Sequence, residues 1–219
     1  MILLFLKSIM AEVKREYYPS YELKLIYYEI NGMKEGLYKS YYWNEQLELI
    51  CNYVNGLKQG EYKEYYENGK LKSICNYVND KIEGEYKSYY PDGQLQEIYN
   101  YIDGKKNGES KSYLFGKLTK IDNYINGRLN GEQKEYYENG QLRYITNYFN
   151  GIKEGEFRYY DENGQLKTID NYVNGKQHGE CNEYYGGKPS TTSMYVNGNL
   201  TKLIEYNGFN GKTRTYKYF

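Results

Sequence analysis

The sequence predicts an all-β protein: an elongated single antiparallel meander sheet of tandem 24-residue β-hairpin repeats, twisted or curled along its length. One observation is a unit, Leu-x-x-Ile-x-Asn-Tyr-x-Asn-Gly-x-x-x-Gly-Glu-x-Lys-x-Tyr-Tyr-x-x-Gly-x, that returns along the 219 residues with leucine at Leu23, Leu47, Leu71, Leu95, Leu118, Leu142 and Leu166. A fixed period of this length marks a stacked repeat architecture, whose units bury their apolar side only against neighbours. Another is that each unit holds two strand-length runs set off by Asn-Gly pairs, the strongest short hairpin signal. The third is tyrosine, at 33 residues: its ring packs on a pleated surface while its hydroxyl stays wet.

Residues 1–16 precede the repeats as an apolar segment or cap. Within MILLFLKSIM the only Lys follows the apolar run, whereas a secretory signal puts charge first and ends on a small-residue cleavage site. The segment reads as an N-terminal cap, a start ahead of Met10, or a truncated signal. Cytoplasmic placement is favoured; residues 1–11 as a signal would mean the cell envelope or secretion. Nothing later is long and apolar enough for a membrane-spanning helix.

Residues 17–188 carry about seven repeats. In one of them Glu61–Tyr66 and Leu71–Val78 are the strands, joined through Asn68-Gly69, and the second boundary, ahead of them, is Asn55-Gly56. A type I′ turn needs positive φ at both central residues, which Asn-Gly supplies. Turns at both ends of every strand leave no room for a crossover, so neighbours pair antiparallel. With Asn68-Gly69 central, Tyr66 faces Leu71, Glu64 faces Ser73, Tyr62 faces Cys75 and Gly60 faces Tyr77, which lets a tyrosine ring lie over a glycine. A four-residue loop at Asn55–Lys58 also puts Gly60 opposite Tyr53 and gives no shear between repeats; a two-residue turn staggers each repeat by two. One face then carries Tyr62, Glu64, Tyr66, Leu71, Ser73, Cys75 and Tyr77, the other Glu61, Lys63, Tyr65, Lys72, Ile74, Asn76 and Val78. A single step between leucines is 23 residues, the missing one falling in the turn around Phe115-Gly116-Lys117. At about 4.8 Å per strand the sheet runs roughly 70–80 Å, long enough to require twist.

Residues 189–219 read as a degenerate repeat and capping strand. Pro189 takes the leucine position, and Lys212–Phe219 alternates charge with aromatics; Pro and Lys protect open sheet edges.

Lys plus Arg and Asp plus Glu are both 29, so no global field draws the chain to nucleic acid, which is disfavoured as a partner. Any electrostatic recognition is local. Cys51, Cys75 and Cys181 are odd in number and lack metal-ligand spacing, and the first two lie two strands apart, about 9–10 Å, beyond disulfide reach. They read as free thiols serving as small strand residues.

Tyr-Tyr-Glu-Asn-Gly-Gln-Leu at Tyr136–Leu142, its near copy from Tyr65 to Leu71, and the following Asn-Tyr-x-Asn-Gly-x-x-x-Gly-Glu resemble the variant form of the MORN (membrane occupation and recognition nexus) repeat of bacterial proteins. The resemblance covers residues 17–188. It implies an elongated antiparallel sheet that acts as an interaction scaffold without catalysis, and it brings an antitoxin role of some bacterial members and a general tie to membrane lipids. None of these attaches to a particular residue. Glu45 and Asp80 stand at glycine positions of the pattern and put those turns in question.

Two charged columns recur on one face. Glu61, Glu85, Glu109, Glu132, Glu156 and Glu180 follow the repeat glycine; Lys39, Lys63, Lys87, Lys111, Lys134 and Arg158 stand two residues beyond that position, where each Glu can screen its own cation. The sharper reading is a basic ladder flanked by Tyr41, Tyr65, Tyr89, Tyr113, Tyr136 and Tyr160. Tyrosine brings large contact area with few torsions to freeze, as an interface needs, and aromatic and basic residues in alternation suit an anionic surface. Catalytic, metal and cofactor residues are not expected. His178, the single histidine, stands where other repeats have Gln59, Glu83, Asn107 or Glu154; the carboxylates repeat whereas an active site is singular; and no P-loop, nucleophile elbow or zinc spacing occurs. The sequence thus reads as a non-enzymatic scaffold, without cofactor, that binds another protein through a Tyr-rich, charge-striped face. Binding to an anionic membrane surface through the Lys column and antitoxin-like neutralisation of a partner protein are the alternatives, and the oligomeric state is not written in the repeat.

Overall fold

The computed structural model describes residues 11–206 and 213–218; the apolar start at 1–10 lies outside them. The described residues form 23 strands and no helix. The chain divides into two compact units, residues 1–105 and 106–219, each an all-β antiparallel meander of hairpin repeats. In the first unit Glu12–Tyr17 is the outermost of the described strands, pairing with Leu23–Ile30. In the second, Thr213–Lys217 pairs with Asn199–Tyr206.

The two Asn-Gly turns of a repeat turn out to be different objects. Asn55 and Gly56 have φ of 51° and 81°, and Val54 pairs with Leu57, as a two-residue type I′ turn requires. At Asn68-Gly69 only the glycine has positive φ, 77°. Gly69 N–H donates to the Tyr66 carbonyl and Tyr66 N–H to the Lys70 carbonyl, both at 2.8 Å, so the loop is a type I turn closed by a left-handed glycine. The extra loop residue changes the register beyond it. Gly60 through Glu64 face Tyr77 through Ser73 as expected, but a bulge at Lys72 makes Tyr65, not Tyr66, the partner of Leu71. Leu71 therefore belongs to the Lys63, Tyr65 and Ile74 face, and Lys72 reaches Glu64 across the other, 2.6 Å away. Where the 23-residue step falls, Phe115 and Gly116 both take positive φ and Leu114 pairs directly with Lys117, so a two-residue turn replaces the three-residue loop.

The glycine after the short turn sets the shear. Tyr53 pairs with Lys58, yet Ile50 pairs with Lys63, which leaves the four residues Gln59, Gly60, Glu61 and Tyr62 opposite two, Cys51 and Asn52. Gly60, at φ 82°, makes this two-residue bulge possible. A tight turn thereby coexists with repeats in zero shear: Ile50, Lys63, Ile74 and Lys87 pair in one row. Gly60 does not face Tyr53, and a Cβ built on it would meet nothing within 4 Å, so no tyrosine ring lies over it. Its role is backbone conformation.

Both rims are laced from repeat to repeat. At the Asn55 rim, Gly56 N–H donates to the Lys34 carbonyl at 2.9 Å and Gly104 N–H to that of Ile82 at 3.0 Å. There Glu35, Gln59 and Glu83 accept from the N–H of Asn55, Asn79 and Asp103 at 2.8, 3.0 and 2.8 Å. In the second unit Glu154 accepts from Asn174 at 2.8 Å and His178 Nδ1 from Asn197 at 3.4 Å, so the lone histidine takes the repeat's ordinary acceptor role. At the other rim the hydroxyls of Tyr42, Tyr66 and Tyr137 donate to the carbonyls of Tyr65, Tyr89 and Tyr160 at 2.8, 2.7 and 2.8 Å. Asn68 accepts from Lys70 N–H inside its own turn and donates to the Pro91 carbonyl of the next.

A single layer of strands has no opposing layer to bury large side chains against. The buried positions are accordingly small or polar: Ser40, Cys51, Ser73, Cys75 and Ser88 in the first unit, and Ser110, Asp122, Gln133, Thr146, Cys181 and Thr192 in the second. Aromatic pairs wall them in, such as Tyr38 with Tyr53 and Tyr62 with Tyr77, ring centroids 5.8 and 5.3 Å apart. All three cysteines are free and buried, and burial pushes Cys75 and Cys181 up to about 11.

Candidate interaction face

The face bearing the expected residues is assembled from cross-strand rows. Each basic residue pairs with an isoleucine: Lys39 with Ile50, Lys63 with Ile74 and Lys87 with Ile98 in the first unit, Lys111 with Ile121, Lys134 with Ile145 and Arg158 with Ile169 in the second. The row alternates because zero shear returns an isoleucine on the far side as well, Ile26 beside Lys39 and Ile50 beside Lys63. Long cationic stems lie along such apolar neighbours while their heads reach water. Tyrosine meets leucine in the next row: Tyr41 with Leu47, Tyr65 with Leu71 and Tyr89 with Leu95, then Tyr113 with Leu118, Tyr136 with Leu142 and Tyr160 with Leu166. It is the bulge at the Lys72 position that brings the leucine column to this side.

The cations are largely neutralised in place. Lys63 lies 2.6 Å from Glu61, Lys87 2.5 Å from Glu85, Lys111 2.8 Å from Glu109, Lys134 2.5 Å from Glu132 and Arg158 2.5 Å from Glu156. The hydrogen bond that each of these four lysines donates to its glutamate holds it above the ordinary lysine range. Glu180 keeps the geometry without a cation, accepting from the Asn182 amide at 2.7 Å. Lys39 is the exception: Leu37 occupies the glutamate position, and among the described residues no carboxylate pairs with Lys39.

Two shallow depressions open on this face in the first unit. One, of about 510 Å³, is lined by Leu37, Leu47, Ile50, Glu61, Lys63 and Tyr65 among others; the next, of about 430 Å³, by Glu61, Leu71, Ile74, Glu85, Lys87 and Tyr89 among others. The six residues named for each are equivalents one repeat apart, Glu61 lining both, while Gln59 and Gly60 line the first alone. The walls are half-buried Tyr, Ile and Leu and the exposed Leu37, with the ion pairs between them.

Sequence reasoning did not single out two features. Val54, Leu57, Val78 and Ile102 form an exposed apolar rim beside the short turns of the first unit, and Ile125, Phe149, Ile152 and Val173 one in the second. Their spacing was visible, but not that no described residue covers them. On the opposite face Lys34 sits over Tyr27, Tyr38 and Tyr53 at 4.7–5.1 Å, and Lys58 over Tyr62 and Tyr77 at 5.3 and 5.0 Å. Lys153 sits over Phe157 and Tyr172 at 3.8 and 4.0 Å, where desolvation pulls it below the usual lysine range. The 24-residue recurrence of Lys34 and Lys58 was the available signal. No group of His, Cys, Asp and Glu among the described residues is arranged to hold a metal ion.

No curated protein matches the chain. Among solved structures, a chain of the "Crystal Structure of TcdB2-TccC3-Cdc42" aligns over 94% of this chain at 12% identity and a TM-score of 0.25, and this chain spans 15% of its length; a likeness of that size carries no argument. The MORN repeat variant family matches residues 34–55, 58–79, 82–103, 129–150 and 153–174, together half of the sequence. Each segment begins on the second strand residue after a two-residue turn and ends on the first residue of the next such turn, so the family unit and the structural repeat coincide. By these five repeats the chain belongs to the MORN repeat variant family.

Proposed function

We propose that this repeat scaffold is non-enzymatic and binds another protein through its Tyr-, Ile- and Leu-lined face. The observation that carries this reading is the pairing of five of the six column cations with a glutamate at 2.5–2.8 Å. A ladder of neutral pairs between aromatic and aliphatic walls favours a partially apolar protein surface, with tyrosines as rigid anchors. It weakens the reading as an anionic membrane binder, since cations already screened by carboxylates attract lipid head groups little. The absence of catalysis belongs to the same proposal: the polar groups of the face recur from repeat to repeat, and none is set apart as a reacting centre.

Two experiments test this. Pull-down from the native cell with wild type against a Tyr65, Tyr89 and Tyr113→Ala variant should lose a specific partner in the variant. Co-sedimentation with anionic liposomes should be weak; strong, salt-sensitive binding abolished by reversing Lys63, Lys87 and Lys111 to Glu would instead establish the membrane reading.

A further inference from the structure

We propose that the Tyr65 face of the first unit takes a proline-rich segment in the polyproline II conformation, neutral along its length and acidic at the end that meets Lys39. This rests on the protein-binding reading above and names the chemistry of the partner.

The argument begins with the two depressions, built from Leu47, Ile50 and Tyr65 and, one repeat on, from Leu71, Ile74 and Tyr89. Pairing without shear sets equivalent residues two strands apart, about 9.4–9.8 Å at 4.7–4.9 Å per strand. A ligand lying along the repeats must present an apolar side chain to the sheet once per interval, always on the same side. A polyproline II helix does so every three residues, about 9.3 Å. An α-helix returns to the same side after seven residues, about 10.5 Å. An extended strand returns every second residue, about 6.6–6.8 Å. From Tyr41 to Tyr89, two intervals, polyproline II stays within about 1 Å of the spacing while the helix drifts by about 1.4–2.2 Å. Aromatic-lined grooves that receive a preformed, low-entropy helix are an effective recognition device for such segments.

Charge fixes the rest. Lys63 and Lys87 are paired with Glu61 and Glu85, so the ligand above them is uncharged. Leu37 makes the neighbouring depression more apolar and leaves Lys39 without a carboxylate among the described residues, so an acidic ligand residue is complementary there.

The test is calorimetric titration of the full chain with two synthetic peptides of one composition: a glutamate attached to three Leu-Pro-Pro triplets, and the same residues with the leucines irregularly spaced. Glutamate is placed at either end in turn. The periodic peptide is expected to bind at least roughly tenfold tighter than the irregular one, with Tyr65→Ala erasing the difference. Lys39→Glu, which leaves the walls intact, is expected to weaken the acidic peptide about threefold and leave its glutamine counterpart unchanged. Equal affinity for the two spacings, or no binding of either, overturns the proposal. A partner captured by wild type, lost in the tyrosine variant and bound through a segment without the triplet period overturns this inference while the protein-binding reading stands. Capture indifferent to those tyrosines overturns the reading itself.

Discussion

Glu45 and Asp80 occupy left-handed positions that the repeat normally gives to glycine, both at φ 64°. An L-residue there costs about 1–2 kcal/mol relative to glycine unless a local bond offsets it. Asp80 has that bond: its carboxylate accepts the Lys58 N–H at 2.7 Å. Glu45 has no side-chain bond of this kind to its turn. Glu45→Gly is therefore expected to stabilise the protein by about 1 kcal/mol and Asp80→Gly by distinctly less, read as shifts of the urea midpoint. The buried thiols make a second prediction. Cys75 is pushed up to about 11 in the folded chain, whereas an unfolded thiol ionises near 8.5. Because the folded value is the higher, the stabilising contribution is complete below about pH 8.5, falls as pH rises and is exhausted above about pH 11. Threonine fills the equivalent strand position at Thr146, also buried. Cys75→Thr should thus fold normally and lose less melting temperature than wild type between pH 8.5 and 11; identical pH profiles would count against it.

At the scale of the hairpin, what holds one repeat to the next beyond the strand ladder is a few side-chain bonds at the rims. Tyr66→Phe removes a hydroxyl that donates to the Tyr89 carbonyl at 2.7 Å and should cost about 1 kcal/mol. His178→Gln should be nearly neutral, because Gln59 fills that acceptor role at 3.0 Å in its own repeat, while His178→Ala should cost up to about 1 kcal/mol. Chemical denaturation of the three variants distinguishes these outcomes. The strands, the turn positions, the Lys and Tyr columns and the two faces apart from Leu71 and Lys72 were legible in the sequence, because period 2 within a strand and period 24 between repeats leave little choice. The bulges were not. Asn-Gly satisfies a type I′ turn and the end of a type I loop alike, so Asn55-Gly56 and Asn68-Gly69 look the same until the backbone is seen. That ambiguity moved Leu71 from one face to the other and supplied the leucine wall of the candidate face. Nor could the pattern tell that a tight turn and zero shear coexist, since Gly60 satisfies both only by absorbing two residues in a bulge. The exposure of Val54 and Val78 also depends on what covers them, which no spacing records.

For the molecule as a whole, the repeat makes stability close to a sum of unit and nearest-neighbour terms, since the rim bonds join residues 19–23 positions apart and the buried groups lie within single hairpins and their neighbours. Zero shear adds a sharper consequence. Removing residues 63–86 joins Tyr62 to Lys87 and returns every later residue to the row and face of its equivalent, because the excised length equals the period. Removing 63–85 keeps Tyr86 at the junction and adds one residue within a strand, which sends Lys87 and Tyr89 to the opposite face unless a new bulge absorbs it. The chain's own 23-residue step is accommodated at the Phe115-Gly116 turn, where a shorter loop is available; the interior of a strand offers no such exchange. The 24-residue deletion should therefore keep the circular dichroism shape of wild type and a cooperative urea transition, with a denaturant slope reduced in proportion to the surface lost. The 23-residue deletion should lose several kcal/mol more, of the order expected when buried polar and apolar positions exchange. Equal stability of the two deletions would mean that register is not what the repeat enforces, and the nearest-neighbour account would fail with it.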